Sequence, residues 1–92
     1  MLVGRIVGTL TCSERADGFG GQALMQVELV GRSGEPGETI VACNATTAGE
    51  GEYVVVASGH AARLALGAPE APVEAAIVAI LDGGRDALRT TT

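Results

Sequence analysis

Between Ala75 and Leu81 the chain runs Ala-Ala-Ile-Val-Ala-Ile-Leu, with no polar residue on either side of an extended backbone. A strand like this has to be covered on both faces. Its own domain core supplies one cover. Another subunit is expected to supply the other.

Four further stretches read as strands. Residues 2–12, LVGRIVGTLTC, alternate with a period of two. Leu2, Gly4, Ile6, Gly8, Leu10 and Cys12 share one side, and Val3, Arg5, Val7, Thr9 and Thr11 the other. Gly4 and Gly8 on one face predict sharp curvature or close backbone approach. Residues 23–30, ALMQVELV, send Met25, Val27 and Leu29 one way and Gln26 and Glu28 the other. Strands at 39–43 and 52–57 follow, and the closing strand spans 73–82.

The connections are rich in turn residues. SERADGFGGQ at 13–22 and GRSGEPGE at 31–38 read as loops. NATTAGEGE at 44–52 joins the third and fourth strands. SGHAARLAL at 58–66 reads as a short helix, with Ser58 as N-cap and Gly67 as its stop. GAPEAP at 67–72 breaks the chain before the closing strand. The fold expected is mainly β: a small, mostly antiparallel five-stranded barrel with one short helix between strands four and five. Residues 1–83 form its single domain, and 84–92 a C-terminal tail.

Composition sharpens the question of the second cover. In 92 residues, 47% are hydrophobic, but Phe19 and Tyr53 are the only aromatics. Large rings usually supply much of a small domain's buried area. A chain without them is expected to bury surface against another subunit. Several strands are apolar on both faces, which points the same way.

The net charge is -5, and all six basic residues are arginines, scattered at Arg5, Arg15, Arg32, Arg63, Arg85 and Arg89. A nucleic-acid binder needs a basic stripe to displace counterions, so a polyanion partner is not expected. No run reaches membrane-spanning length, and MLVGRIVGTL lacks a signal peptide's long apolar segment. The chain reads as cytoplasmic. Cys12 and Cys43 end predicted strands outside any metal-ligand spacing. They read as two buried apolar thiols, with a disulfide as the alternative.

The residues that could carry chemistry do not assemble into a site. AGEGEY leads into a strand and has no Lys, so it is not a phosphate loop. Glu50 and Glu52 could do acid–base work, but nothing beside them suggests a substrate cleft. His60 lies two residues from Ser58, without an orienting acid or a nucleophile elbow. One His with two separated Cys is not a metal cluster. GFGG at 18–21 marks a turn. Arg63 reads as a salt-bridge or interface residue, and Arg5 as pairing with Glu28 or Glu74. No catalytic, cofactor-binding or metal residue is assigned.

In three places the sequence resembles the pentameric vertex proteins of bacterial microcompartment shells, the EutN/CcmL family. The start MLVGRIVGTL resembles the family's opening strand. NATTAGEGEYVVVASGHAAR is similar to its central Asp-Ala-Val-Gly-Ala-Gly-x-Gly-Glu-x-Val segment with the Ser-Gly-x-x-Ala-Arg that follows. APVEAAIVAILD is similar to its closing Pro-Val-Asp-x-x-Ile-x-x-Ile-Val-Asp. The loop glycines fall on Gly49 and Gly51, and the glutamate on Glu52. The helix start falls on Ser58, Gly59, Ala62 and Arg63. The closing segment falls on Pro72, Val73, Ile77, Ile80 and Asp82. The family's loop Asp is Asn44 here, its first loop Gly is Thr47, and the closing segment's first Asp is Glu74.

The resemblance implies an OB-like barrel and a homopentamer that caps the vertices of a shell tiled by hexameric shell proteins. It implies that Asn44, Thr46, Thr47, Ala48, Gly49, Glu50, Gly51, Glu52, Ser58, Gly59 and Arg63 lie at a subunit interface or in loops near the five-fold axis. The rival readings are an OB-type binding module without catalysis, which predicts a monomer, and a small enzyme using Glu50, Glu52 or His60.

Overall fold

β1 (Leu2–Leu10) organises the barrel, because it pairs on both sides. Its first half, Leu2 to Arg5, runs antiparallel to β4 (Tyr53–Ser58). From Gly4 to Leu10 it runs antiparallel to β2 (Leu24–Val30), and the register shifts between Ile6 and Gly8. A shift of this kind bends a strand and tightens its twist. The expected role of the two glycines is seen here. A Cβ on Gly4 would run into Val27 Cγ1 and lie 2.9 Å from the Glu28 carbonyl oxygen. The Val27 side chain of β2 therefore lies directly over the bare backbone of β1 at Gly4. These details come from a computed structural model, which describes residues 1–12, 14, 21–31, 33–67, 73–84 and 86.

β2 continues antiparallel into β3 (Pro36–Asn44). β3 begins three residues earlier than the sequence reading placed it. Proline is tolerated as the first residue of a strand, and Pro36 takes that position opposite Val30. The hairpin between them is closed by Gly31 N–H donating to the Glu35 carbonyl at 2.9 Å. The remaining strands keep their expected places with slightly different ends. The helix α1 (Gly59–Ala65) follows β4, and β5 (Ala75–Ile80) completes the chain order.

β5 pairs antiparallel with β4 and parallel with β3, so the five strands form a closed barrel in the order β1-β2-β3-β5-β4. The parallel contact consists of two residue pairs, Cys43 with Ala76 and Asn44 with Ile77. The barrel thus closes where β3 ends and the NATTAGEGE loop begins.

The interior is filled by Ile6, Met25, Val27, Ala42, Ala48, Val54, Val56 and Ile77. Burying each of the larger of these aliphatic side chains contributes about 1.5–3 kcal/mol. A second small cluster, Ala57, Ala62 and Ala76 with Leu66 and Val78, lies where α1 packs on β4 and β5. The helix is thus the second cover for part of the closing strand. It does not reach the rest of the outer surface. On the barrel Val7 and Val41 are 39% and 50% exposed, and Leu64 on the helix itself is 56% exposed.

One of the two cysteines departs from expectation. Cys43 is buried, but Cys12 is exposed, and no disulfide joins them. β1 ends at Leu10, so Cys12 lies beyond the ladder that would have buried it. The loop residues 15–20, with Phe19 and most of GFGG, lie outside the described residues. So do Pro72 and, apart from Gly84 and Asp86, the expected tail.

Candidate functional site

The β3–β4 loop is rooted at the barrel closure. Asn44 N–H donates to the Ala23 carbonyl at 2.9 Å, and Ala45 N–H to the Ile77 carbonyl at 3.2 Å. From this root the loop is laced by its own side chains. Asn44 Oδ1 accepts from Thr46 N–H at 3.0 Å and from the Thr46 hydroxyl at 2.8 Å. Asn44 Nδ2 donates to the Ala48 carbonyl at 2.9 Å. Thr46 Oγ1 accepts from Ala48 N–H at 3.1 Å. Short polar side chains that bond the backbone two residues on stabilise such turns. The result drives Ala48 inward, where it is 5% exposed and belongs to the barrel core. Among the expected interface residues, Ala48 is therefore committed to its own chain.

The second half of the loop is a tight turn. Glu52 N–H donates to the Gly49 carbonyl at 3.2 Å, with Gly51 in third position at φ +89°. This is type II geometry, which calls for glycine there. Gly51 N–H donates to the Ile6 carbonyl at 2.8 Å, and Ile6 N–H to the Glu52 carbonyl at 3.0 Å. Two residues thus oppose one on β1, a bulge that takes glycine at its first position. The Glu52 carboxylate folds back to accept from Gly49 N–H at 2.8 Å. Thr47, Glu50, Gly51 and Glu52 are exposed, and Gly49 is half-buried. Glu50 stands at the turn's corner.

The helix-start residues form a second group. Ser58 occupies the N-cap with extended backbone, but its hydroxyl makes no capping bond. Gly59 N–H donates instead to the Glu74 carbonyl at 2.8 Å, and Gly59 adopts φ +57°. Arg63 Nη1 donates to the Val73 carbonyl at 3.2 Å. The partner expected of Arg63 was an acid or another subunit; within the chain, it is a backbone oxygen at the approach to β5. His60 is exposed on the first turn of α1. Ser58 and His60 thus share the helix start, whereas Glu50 and Glu52 belong to the separate β3–β4 turn. Among the described residues, no three or more His, Cys, Asp or Glu side chains are placed to hold a metal ion. No helix among them is long and apolar enough to cross a membrane.

Sequence reasoning missed the Asn44–Thr46 link and the Val73 carbonyl. The first had a signal: Asn followed by Thr two residues later is turn chemistry. The second had none, because any residue carries a carbonyl.

A family model described as "Ethanolamine utilisation protein EutN/carboxysome" matches residues 1–82. The chain belongs to this family. The carboxysome shell vertex protein CcmL of Thermosynechococcus vestitus is 34% identical over 84 residues, covering 89% of this chain and 84% of that protein. The solved structure of an ethanolamine utilization protein EutN superposes with a TM-score of 0.84 at 32% identity, covering 89% of this chain and 86% of the other. The structure described as the GrpN pentameric microcompartment shell protein from Rhodospirillum rubrum gives 0.80 at 29%, covering 92% and 98%. The two solved structures share this fold, and the CcmL and GrpN relatives are named as shell proteins.

The resemblance sets Thr47 at the family's first loop glycine, yet no residue other than glycine has positive φ among the described residues. The backbone at 47 therefore does not demand glycine. Asn44 stands at the family's Asp, and it uses the amide nitrogen that an Asp lacks.

Proposed function

We propose that this chain is a structural shell protein: a homopentamer that caps the vertices of a polyhedral bacterial microcompartment in the cytoplasm and closes a shell of hexameric tiles. The carrying observation is the family match over residues 1–82, with relatives named as shell vertex proteins. The reading is physically coherent. A flat hexagonal sheet closes only where five-fold units impose curvature, and a head-to-tail interface closes a ring when its rotation is right. The exposed valines on the barrel's outside are surface that such neighbours would cover. The protein acts by shape, and catalysis forms no part of the reading.

The test is mass in solution. Light scattering or native mass spectrometry should give five times the 9.2 kDa of one chain. A stable monomer overturns the reading and favours the binding module. Co-production with hexameric shell proteins should give closed polyhedra; tubes or open sheets are expected when this chain is left out. Polyhedra that close equally well without it overturn the capping role.

A further inference from the structure

We infer that Asn44 is the positioning residue of the β3–β4 loop: a neutral, two-ended pin that, together with Thr46, presents residues 47–51 for ring assembly. The inference rests on the proposed pentamer and deepens it.

The pin has two ends that do different things. Its carbonyl oxygen collects two donors from Thr46, the backbone N–H at 3.0 Å and the hydroxyl at 2.8 Å. That hydroxyl, held in place, accepts from Ala48 N–H at 3.1 Å. Its amide nitrogen donates to the Ala48 carbonyl at 2.9 Å. Both polar groups of Ala48 are therefore held by the Asn44–Thr46 pair, which sets Ala48 as the plug of the barrel end. The orientation of the carboxamide follows from its partners: the end facing Thr46 N–H has to be oxygen, and the end facing the Ala48 carbonyl has to be nitrogen.

The location makes the pin consequential. Asn44 is the last residue of β3 and pairs with Ile77 at the parallel closure of the barrel. Its own N–H is tied to Ala23. The pin thus grows from the most constrained point of the loop and ends where the exposed turn begins. The turn itself is tied down at its other end by β1, through Gly51 and Glu52. A segment fixed at both ends pays less ordering entropy when a neighbour packs against it.

Chemistry selects asparagine here. An aspartate keeps the acceptor oxygen that faces Thr46 but, when ionised, puts a second acceptor in place of the donor that the Ala48 carbonyl needs. It would also set one more negative charge beside a turn that already exposes Glu50 and Glu52.

The experiment compares ring dissociation with loop protection in the full chain. Asn44→Ala removes both ends, Asn44→Asp removes the donor alone, Thr46→Val removes the hydroxyl, and Thr46→Ser keeps it. Native mass spectrometry over a dilution series reads the concentration at which the ring dissociates. Hydrogen exchange reads the amides of residues 45–50, and circular dichroism reads the barrel.

Expected are a midpoint raised about tenfold or more by Asn44→Ala, a smaller rise for Asn44→Asp and for Thr46→Val, and none for Thr46→Ser. Faster exchange at 45–50 should accompany each rise while the barrel signal persists. Thr46→Val behaving as Thr46→Ser, or Asn44→Asp as the wild type, overturns the inference, and both remain readable if Asn44→Ala fails to fold. A wild-type chain that forms no ring removes the proposed function itself. Exchange at 45–50 then still shows whether the pin orders the loop, and unchanged protection in every variant overturns it.

Discussion

Arg5 of β1 stands directly opposite Glu28 of β2 in the antiparallel ladder. Tyr53 of β4 stands opposite Arg5 on its other side, and Thr39 of β3 opposite Glu28. A polar row therefore crosses four strands of a barrel wall that also carries Val3, Val7 and Val41. Opposite charges in facing positions contribute roughly 0.2–1 kcal/mol, and like charges cost a similar amount. Arg5→Glu should lower the melting temperature by a few degrees at low salt, and Glu28→Arg likewise. The double exchange should recover most of the loss. A double variant as unstable as the sum of the two singles would show that the pair is not coupled.

Gly4 is the position where the barrel can least tolerate a side chain. A Cβ there meets Val27 Cγ1, a fully buried side chain, and the Glu28 carbonyl, which is ladder backbone. Neither neighbour can move aside without disturbing the β1–β2 pairing. Gly4→Ala is therefore expected to destabilise by about 1–3 kcal/mol through overpacking. Gly21→Ala, where nothing lies within 4 Å, serves as the control and should stay within about 0.5 kcal/mol of the wild type. Chemical denaturation of the two variants side by side checks this.

Arg63 ties the last turn of α1 to the approach of β5 through the Val73 carbonyl at 3.2 Å. The helix has only seven residues and rests on alanines, so it has little other anchorage. Arg63→Met keeps the aliphatic stem and deletes the donor. It should cost about 1 kcal/mol, given that the side chain is half-buried. Hydrogen exchange should speed up in α1 before it does in β4. Equal protection of α1 in the two proteins would assign the bond no structural weight.

Much of this fold was legible because β-structure writes itself in alternation. The period of two in residues 2–12 sets Gly4, Ile6 and Gly8 inward, and the structure buries all three. The apolar closing strand announced a need for two covers. Its Ile77 faces the core and its Ala76 lies under α1. The start of β3 was hidden because Pro36 and Gly37 are turn formers that the ladder with β2 nonetheless accommodates. The burial of Cys12 was misjudged because alternation predicts which side a residue faces but not where the neighbouring strand ends. In the loop, the resemblance put Gly51 at an interface or near the axis, whereas its φ of +89° makes it a turn requirement of the single chain. The inward plug at Ala48 was not legible, because it depends on side-chain bonds across four residues and on the end of a barrel that no local pattern reveals.

The two loop glycines separate folding from assembly. Gly51 has φ +89° with open space around it, so a side chain there is strained whatever the protein's oligomeric state. Gly51→Ala should destabilise the barrel by about 1–2 kcal/mol. Gly49 has no positive φ, and a Cβ there would meet only Glu52 Oε1, at 4.0 Å. Among the described residues nothing requires glycine at 49, so in the proposed pentamer the requirement would come from a neighbouring subunit's loop. Gly49→Val should leave barrel unfolding within about 0.5 kcal/mol of the wild type and reduce the pentamer fraction sharply. Unfolding by circular dichroism and ring content by native mass spectrometry give the two readouts on one sample. Intact five-subunit rings in Gly49→Val would sink the close-packed axial loop, and a loss of barrel stability in that variant would move its role from assembly to folding.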